Sequence, residues 1–409
     1  MIKAHKIRLN PLPEQELYFR KAAGTARFVY NWGLAEWQRQ KAAHPGQEHR
    51  VMAIKKDFNA LKAQQYPWVY EVAKDVAEGA FQNLGQALEN YYASQSGKRQ
   101  GAKMGFPHFK SKKNNRQSFR LNNDKFKVSD HSLYVPKLGW VNMAEALRFE
   151  GKIMGAVVSK SAGHWYVAIA VEMEVPAPLE FPKESTGVDI GIKELLVLSD
   201  GTRYENQAPL RSELRHLKFL NRQLARRKKG SQRWYKARQQ LEVFHGRIAN
   251  RRADQVNKMT TAVAKTYRIV GMEDLNAKGM VRNHHLALSL SDAAFGEIKR
   301  QMQYKKEWFG GKVVLVNRFF PSSRMCSVCK HLNTDLELSD REWTCANCGT
   351  HHLRDDNASY NIEQEALRLL GSTPVVATSG ILARGRDVRP HYAAIPVEAS
   401  ISKRSLLNT

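Results

Sequence analysis

The strongest constraint on what this chain can fold into is the placement of its cysteines. Cys326, Cys329, Cys345 and Cys348 are the only four, and they form two Cys-x-x-Cys pairs with fifteen residues between them. Thiolate pairs on two facing turns can close one tetrahedral site, so the spacing predicts a ribbon holding one Zn2+. Two structural disulfides are the alternative. They are disfavoured because the opening MIKAHKIRLNPLPEQE has no apolar signal core, and disulfides rarely persist in a reducing cytosol.

Charge is the second constraint. The 409 residues carry a formal net charge of +26 and a pI near 9.9, far more than solubility requires. A surplus of that size ordinarily faces a polyanion. Nucleic acid is the expected partner; acidic lipid fits less well, because the basic residues run over the whole chain rather than in one juxtamembrane patch. With 42% hydrophobic residues the chain is neither disordered overall nor membrane-spanning, since no run approaches the roughly 18 apolar residues a spanning helix needs. Cytoplasmic residence with no membrane partner is expected. Eight Trp and fourteen Tyr add surfaces on which bases can stack, although most aromatics in such a chain serve the core.

Periodicity divides the chain. KAHKIRLNP alternates as a strand, and Pro11 and Pro13 open a helical stretch that runs from Glu14 to about Ser96, with further helices over 53–65 and 74–92. From Gly97 the texture turns Gly-rich and basic, and then FRLNNDKFKVSDHSLYVPKLGWV and KIMGAVVSKSAGHWYVAIAVEME alternate at strand period, predicting a small β-barrel. If the opening strand pairs with it, the helical block is an insertion. PAPLEFPK reads as a linker, and TGVDIGIKELLVLSDGTRYE as adjacent antiparallel strands. A long helical pair follows. Between Arg211 and Arg252 there are fourteen basic and two acidic residues, too few acids for self-contained salt bridges. RRKKGS at its centre is a basic turn. YRIVGMEDL and KVVLVNRFF read as buried strands, the second leading into the first cysteine pair, and DDNASYNIEQEALRLL as a helix. Beyond Gly371 periodicity is lost, and a mobile or partner-ordered tail is expected.

Three acids stand out. Asp189 interrupts the apolar strand TGVDIGIKE, where an unneutralised carboxylate costs several kcal/mol; an edge-strand Asp bonded to turn amides would also account for it. Gly187 and Gly191 beside it allow another backbone or a ligand to come close. Glu273 is the first acid after TYRIVGM, at a strand end where ligand sites gather, or else simply opens a helix. Asp355 stands where an ordinary N-cap would, and Asp356 is its immediate rival. Together, three acids on separate segments of a basic protein would suit magnesium or manganese. Two such ions about 4 Å apart can hydrolyse a phosphodiester.

GVDIGIK, VGMEDLN, PSSRMCSVC, WTCANCG and RDDNASYNI resemble the RuvC-like nuclease half of the TnpB family of transposon-encoded RNA-guided endonucleases, considered ancestral to type V CRISPR effectors. TARFVYNW, GFPHFKSK and VPKLGWV resemble its other half. The match covers nearly the whole chain up to about Gly371. It implies an α/β multidomain fold: an RNase H-like (RuvC) nuclease domain over 184–320 and 352–371, interrupted by a zinc-ribbon target-nucleic-acid-binding insert over 321–351. A wedge-like β-barrel from 1–13 and 97–178 would carry a helical recognition lobe over 14–96, with a flexible basic tail over 372–409.

By position, Asp189, Glu273 and Asp355 correspond to the family's Mg2+ (or Mn2+) triad, and the family's Arg-Asp-x-Asn-Ala motif selects Asp355 over Asp356. Leu353 stands where many members have an acid. The resemblance further implies a guide RNA derived from the transposon end, double-stranded target DNA cut beside a short adjacent motif, and a monomeric ribonucleoprotein in a prokaryotic cytoplasm, near the nucleoid. Lys74 and Glu78 correspond to a segment that meets the adjacent motif, and Arg226, Arg227, Lys228 and Lys229 to one near the nuclease lid, beside the guided duplex. An RNA-guided regulator or transposition accessory that does not cut, an end-joining transposase and a zinc-ribbon transcription factor are the competing functions.

Overall fold

A computed structural model describes residues 1–46, 50–99, 101–112, 117–284, 286–337 and 339–372; the expected tail beyond Ser372 lies outside them. Strand β1 (Ile2–Asn10) buries His5, Ile7 and Leu9 on one face and exposes the residues between, the alternation of a half-buried strand. Helices α1 (Pro13–Ala43), α2 (Val51–Gln65) and α3 (Lys74–Gln95) follow, with Pro13 at the first helical position of α1. There its missing N–H would have had no partner in any case.

Strands β2 (Ser118–Asn122), β3 (Lys127–Ser129), β4 (Ser132–Val135), β5 (Gly139–Met143), β6 (Lys152–Ser161) and β7 (His164–Glu172) come next. They form one seven-stranded sheet in the order β2-β6-β7-β1-β5-β4-β3, entirely antiparallel. The opening strand therefore lies between β7 and β5, and the helices are an excursion between two strands of one sheet. Side chains from β2 at one end and β4 near the other share a single core with Phe19 and Val76, so the sheet curls around it. Its end strands β2 and β3 are not hydrogen-bonded to one another; the expected barrel is a curled sheet with an unpaired seam.

The second sheet contains β8 (Lys183–Asp189), β9 (Glu194–Leu198), β10 (Arg203–Glu205), β11 (Tyr267–Glu273) and β12 (Lys312–Val316), ordered β10-β9-β8-β11-β12. β8, β11 and β12 are parallel neighbours, and β9 alone runs against the rest. This 3-2-1-4-5 order is that of an RNase H-like sheet. The excursion from β10 to β11 contains α4 (Pro209–Ser212), α5 (Leu214–Ala225) and α6 (Gln232–Thr266); α7 (Ala277–Met280), α8 (Ala287–Ala293) and α9 (Phe295–Phe309) link β11 to β12.

One face of the sheet packs on α6 and α9 through Val188, Val270 and Met272 against Val263, Ile298 and Met302. The other face receives α10 (Arg354–Ser372), whose Ile362 and Ala366 meet Val316. The last strand was expected to run to Phe320 but stops at Val316. Asn317 Oδ1 accepts the Phe319 N–H at 2.9 Å and turns the chain, an Asx turn that competes with the ladder. The hairpin of β13 (Glu342–Thr344) and β14 (His351–Leu353) carries the cysteine module to Leu353. Among the described residues no helix is long and apolar enough to cross a membrane.

Candidate functional site

Strand alternation places the acids. In β8, Gly187 and Asp189 are two apart and share a face, while Val188 between them enters the opposite core. In β11 the same holds for Gly271 and Glu273 around Met272, and Gly187 pairs directly with Gly271 across the parallel ladder. Both carboxylates thus leave the same face at the same end of neighbouring strands.

The paired glycines are what admit the third. A Cβ at Gly187 would fall 1.9 Å from the Ser359 carbonyl oxygen, and one at Gly271 would fall 2.6 Å from the Ala366 Cβ. Bare backbone here lets α10 settle onto the sheet, and its first turn, one turn before Ser359, then carries Asp355 to the strand ends. The close approach anticipated at Gly187 is therefore made by helix backbone.

Electrostatics record the convergence. The Asp189 carboxyl is pushed up to about 7, first by burial, then by the charges of Glu273 and Asp355, with Arg354 opposing. Burial also raises Glu273, against a hydrogen bond donated by Ser322 Oγ at 2.7 Å. Asp356 is turned away into an ion pair with Arg203, which also holds Glu194 at 2.6 Å. Only the cysteines bring three or more metal-ligating atoms within 4.8 Å of one another among the described residues. The charges of Glu273 and Asp355 reach Asp189 without the three carboxylates being drawn that tightly together. Oxygen donors whose charges oppose one another fit a hard divalent cation.

The cysteine module is built from two matching turns. The Cys326 N–H donates to His331 O and the Cys345 N–H to Thr350 O, and each pair is followed by a left-handed residue, Lys330 (φ 63°) and Gly349 (φ 70°). Cys326 and Cys348 Sγ lie 3.6 Å apart, Cys329 and Cys345 Sγ 3.5 Å. That is far beyond a disulfide bond of about 2.05 Å and close to the ~3.8 Å edge of a tetrahedron with Zn–S bonds of about 2.3 Å. The disulfide alternative is set aside, and the four thiols fit zinc. His352 Nε2 sits 3.1 Å from the Cys326 sulfur as an outer partner.

Sequence reasoning missed the residues that join the two centres. Asn357 and Asn361, four apart on α10 and fully enclosed, both donate to Ser322 O and Met325 O, and Asn357 Oδ1 accepts the Ser327 N–H. Ser322 is thus held through its carbonyl by α10 while its hydroxyl holds Glu273. The available signal was two asparagines at helical spacing, Asn357 and Asn361, in the helix that follows the second cysteine pair.

The nucleic-acid candidates lie elsewhere. Lys74 opens α3, and Glu78 one turn later pairs with Lys55 at 2.8 Å. Arg226, Arg227, Lys228 and Lys229 are all exposed in the turn between α5 and α6, where Gly230 adopts φ 89°. The two acids of this basic segment are each engaged by an arginine, Glu213 by Arg251 at 3.1 Å and Glu242 by Arg238 at 2.8 Å. Basic residues still exceed acids by twelve over the segment, fourteen against two.

Comparison with known proteins gives the family. Family models described as "Probable transposase", "Cas12f1-like, TNB domain" and "Helix-turn-helix domain" match residues 168–284, 295–362 and 1–44; the last of these segments is here a strand and one long helix. A candidate RNA-guided DNA endonuclease of Streptomyces pristinaespiralis is 30% identical over 368 residues, 88% of each chain. The chain belongs to the TnpB-like family. Another relative, the candidate RNA-guided DNA endonuclease InsQ of Escherichia coli (strain K12), is 29% identical over 95% of this chain and 96% of its own. Among solved structures, the Cas12f1–sgRNA–target DNA complex matches 86% of this chain and 83% of that one at a TM-score of 0.50 and 15% identity, a likeness of fold. The TnpB-like assignment covers both the sheet with its acids and the ribbon.

Proposed function

We propose that this protein is an RNA-guided DNA endonuclease, carrying a transposon-end-derived guide RNA as a monomeric ribonucleoprotein and cutting complementary DNA beside a short adjacent motif. In this reading Asp189, Glu273 and Asp355 hold two Mg2+ or Mn2+ ions. When bound, those ions would activate a water and stabilise the leaving oxygen of a phosphodiester. Ser322 orients the Glu273 carboxylate by its hydroxyl bond, and Arg203 keeps Asp356 out of the pocket. The relatives' names and the complex matched in fold support the guided reading. The single observation that carries it is the Asp189 carboxyl, raised first by burial and then by the charges of its neighbours Glu273 and Asp355, in a protein otherwise rich in positive charge.

The remaining parts have complementary tasks. The curled sheet and its helical excursion serve as wedge and recognition lobe, with Lys74 and Glu78 at the adjacent motif. The zinc ribbon handles target nucleic acid, and the exposed Arg226–Lys229 turn meets duplex phosphates, which give affinity while base pairing gives sequence. The test is cleavage of guide-matched DNA in magnesium by protein co-expressed with its RNA. The parent should cut. Asp189→Ala should lose cutting by several orders of magnitude while retaining RNA. A variant that cuts like the parent refutes the site, and a parent without copurifying RNA refutes the guided reading.

A further inference from the structure

Phe319 is the most exposed large apolar side chain among the described residues, at 86%. It lies on the loop between β12 and the first cysteine pair, and that loop is fixed. The Phe319 and Phe320 N–H groups donate to Asn317 Oδ1 and Asn317 O, each at 2.9 Å, and the Ser322 N–H donates to Phe320 O at 2.8 Å. Phe320 points inward, against the cluster of Val316, Ile362 and Ala366. Phe319 points out, where it adds almost no burial to the fold.

Position gives the outward ring a use. Ser322, three residues on, donates to Glu273 at 2.7 Å, so the Phe319 backbone is within about 10 Å of the group that touches the carboxylate. Arg318, on its other side, is partly exposed and reaches Asp274 at 3.5 Å. An aromatic face on a rigid turn beside a phosphate-cutting pocket suits a nucleobase, because every base has a π-face and stacking tolerates any sequence.

We propose that Phe319 is a stacking platform for an unpaired nucleobase of the DNA strand entering the Asp189–Glu273–Asp355 pocket. The inference rests on the nuclease reading above. Within a duplex both faces of a base are covered by its neighbours, so the platform favours a strand already unwound.

The test uses full-length protein with its copurified RNA and a target strand carrying 2-aminopurine at successive positions around the cut. In the cleavage-inactive Asp189→Asn background, fluorescence should be quenched at one or two positions. Phe319→Ala should remove that quench and Phe319→Trp keep it. With Asp189 intact, Phe319→Ala should lower kcat/KM on a single-stranded target by about 5- to 100-fold, the size of one lost base–aromatic stack, and Trp should restore it. An abasic residue at the quenched position should make parent and Ala variant cut alike. Zinc content, RNA retention and Tm should not move, since the ring is exposed. An Ala variant with parental quench and parental cutting overturns the platform and leaves the metal site standing; a parent that cuts no matched strand takes down both.

Discussion

Asp189 is where the fold accepts a carboxylate at odds with its surroundings. Its carboxyl sits near 7 against an ordinary 3.8, so the folded protein keeps a proton that the unfolded chain releases. That contribution to stability is complete below about pH 4 and lost as pH rises through about 7, amounting to a few kcal/mol at most. Thermal unfolding in EDTA should therefore show Tm falling from pH 5 to 8, and Asp189→Asn should flatten the curve. A parent with no slope in that window would mean that neither burial nor its acidic neighbours raise Asp189. Asp189 could be read from sequence because an acid in an apolar strand must be answered by something. The choice between Asp355 and Asp356 could not be made from residue types. Arg203, about 150 positions away, takes Asp356.

At the scale of elements, two glycines and two asparagines set where α10 lies. Any side chain at Gly187 meets the Ser359 carbonyl, so Gly187→Ala should lower stability by about 1–3 kcal/mol or more in denaturant melts. By moving Asp355 it should also remove most cutting, and a fully active Ala variant would separate helix seating from the site. Asn361→Ala withdraws a donor from two backbone carbonyls, Ser322 O and Met325 O. It should cost about 1–3 kcal/mol and speed zinc release to a chelator, read by a colorimetric zinc indicator. Unchanged release would show that α10 does not brace the ribbon. The strands, the long basic helices and the helix after the ribbon were legible because each is long and periodic. The end of β12 was not, since one Asn side chain captured its own backbone.

For the whole molecule the governing quantity is charge. The Arg211–Arg252 segment carries fourteen of the basic residues and only two acids, and the structure leaves Arg226, Arg227, Lys228 and Lys229 exposed at its tip. If this turn meets phosphates, replacing all four by alanine should reduce the slope of log K against log salt by up to about 3, at roughly 0.7–0.9 per contact, for guided binding of target DNA. A slope that does not change would assign the turn to solvent. The seven-stranded sheet shows what local pattern leaves open: alternation predicted its strands, but the pairing of β1 with β7 and β5 depends on residues up to about 170 positions apart.

The sequence by itself determined the four-cysteine ligand set, the large excess of positive charge and the order of acids around an inserted module. Those follow from residue type and spacing, which the chain carries locally. Only the tertiary structure decided that the charges of Glu273 and Asp355 bear on Asp189, through a glycine pair across two strands, a helix seated on it, and a serine holding Glu273. Those are contacts between distant segments, and packing of the whole chain alone sets them.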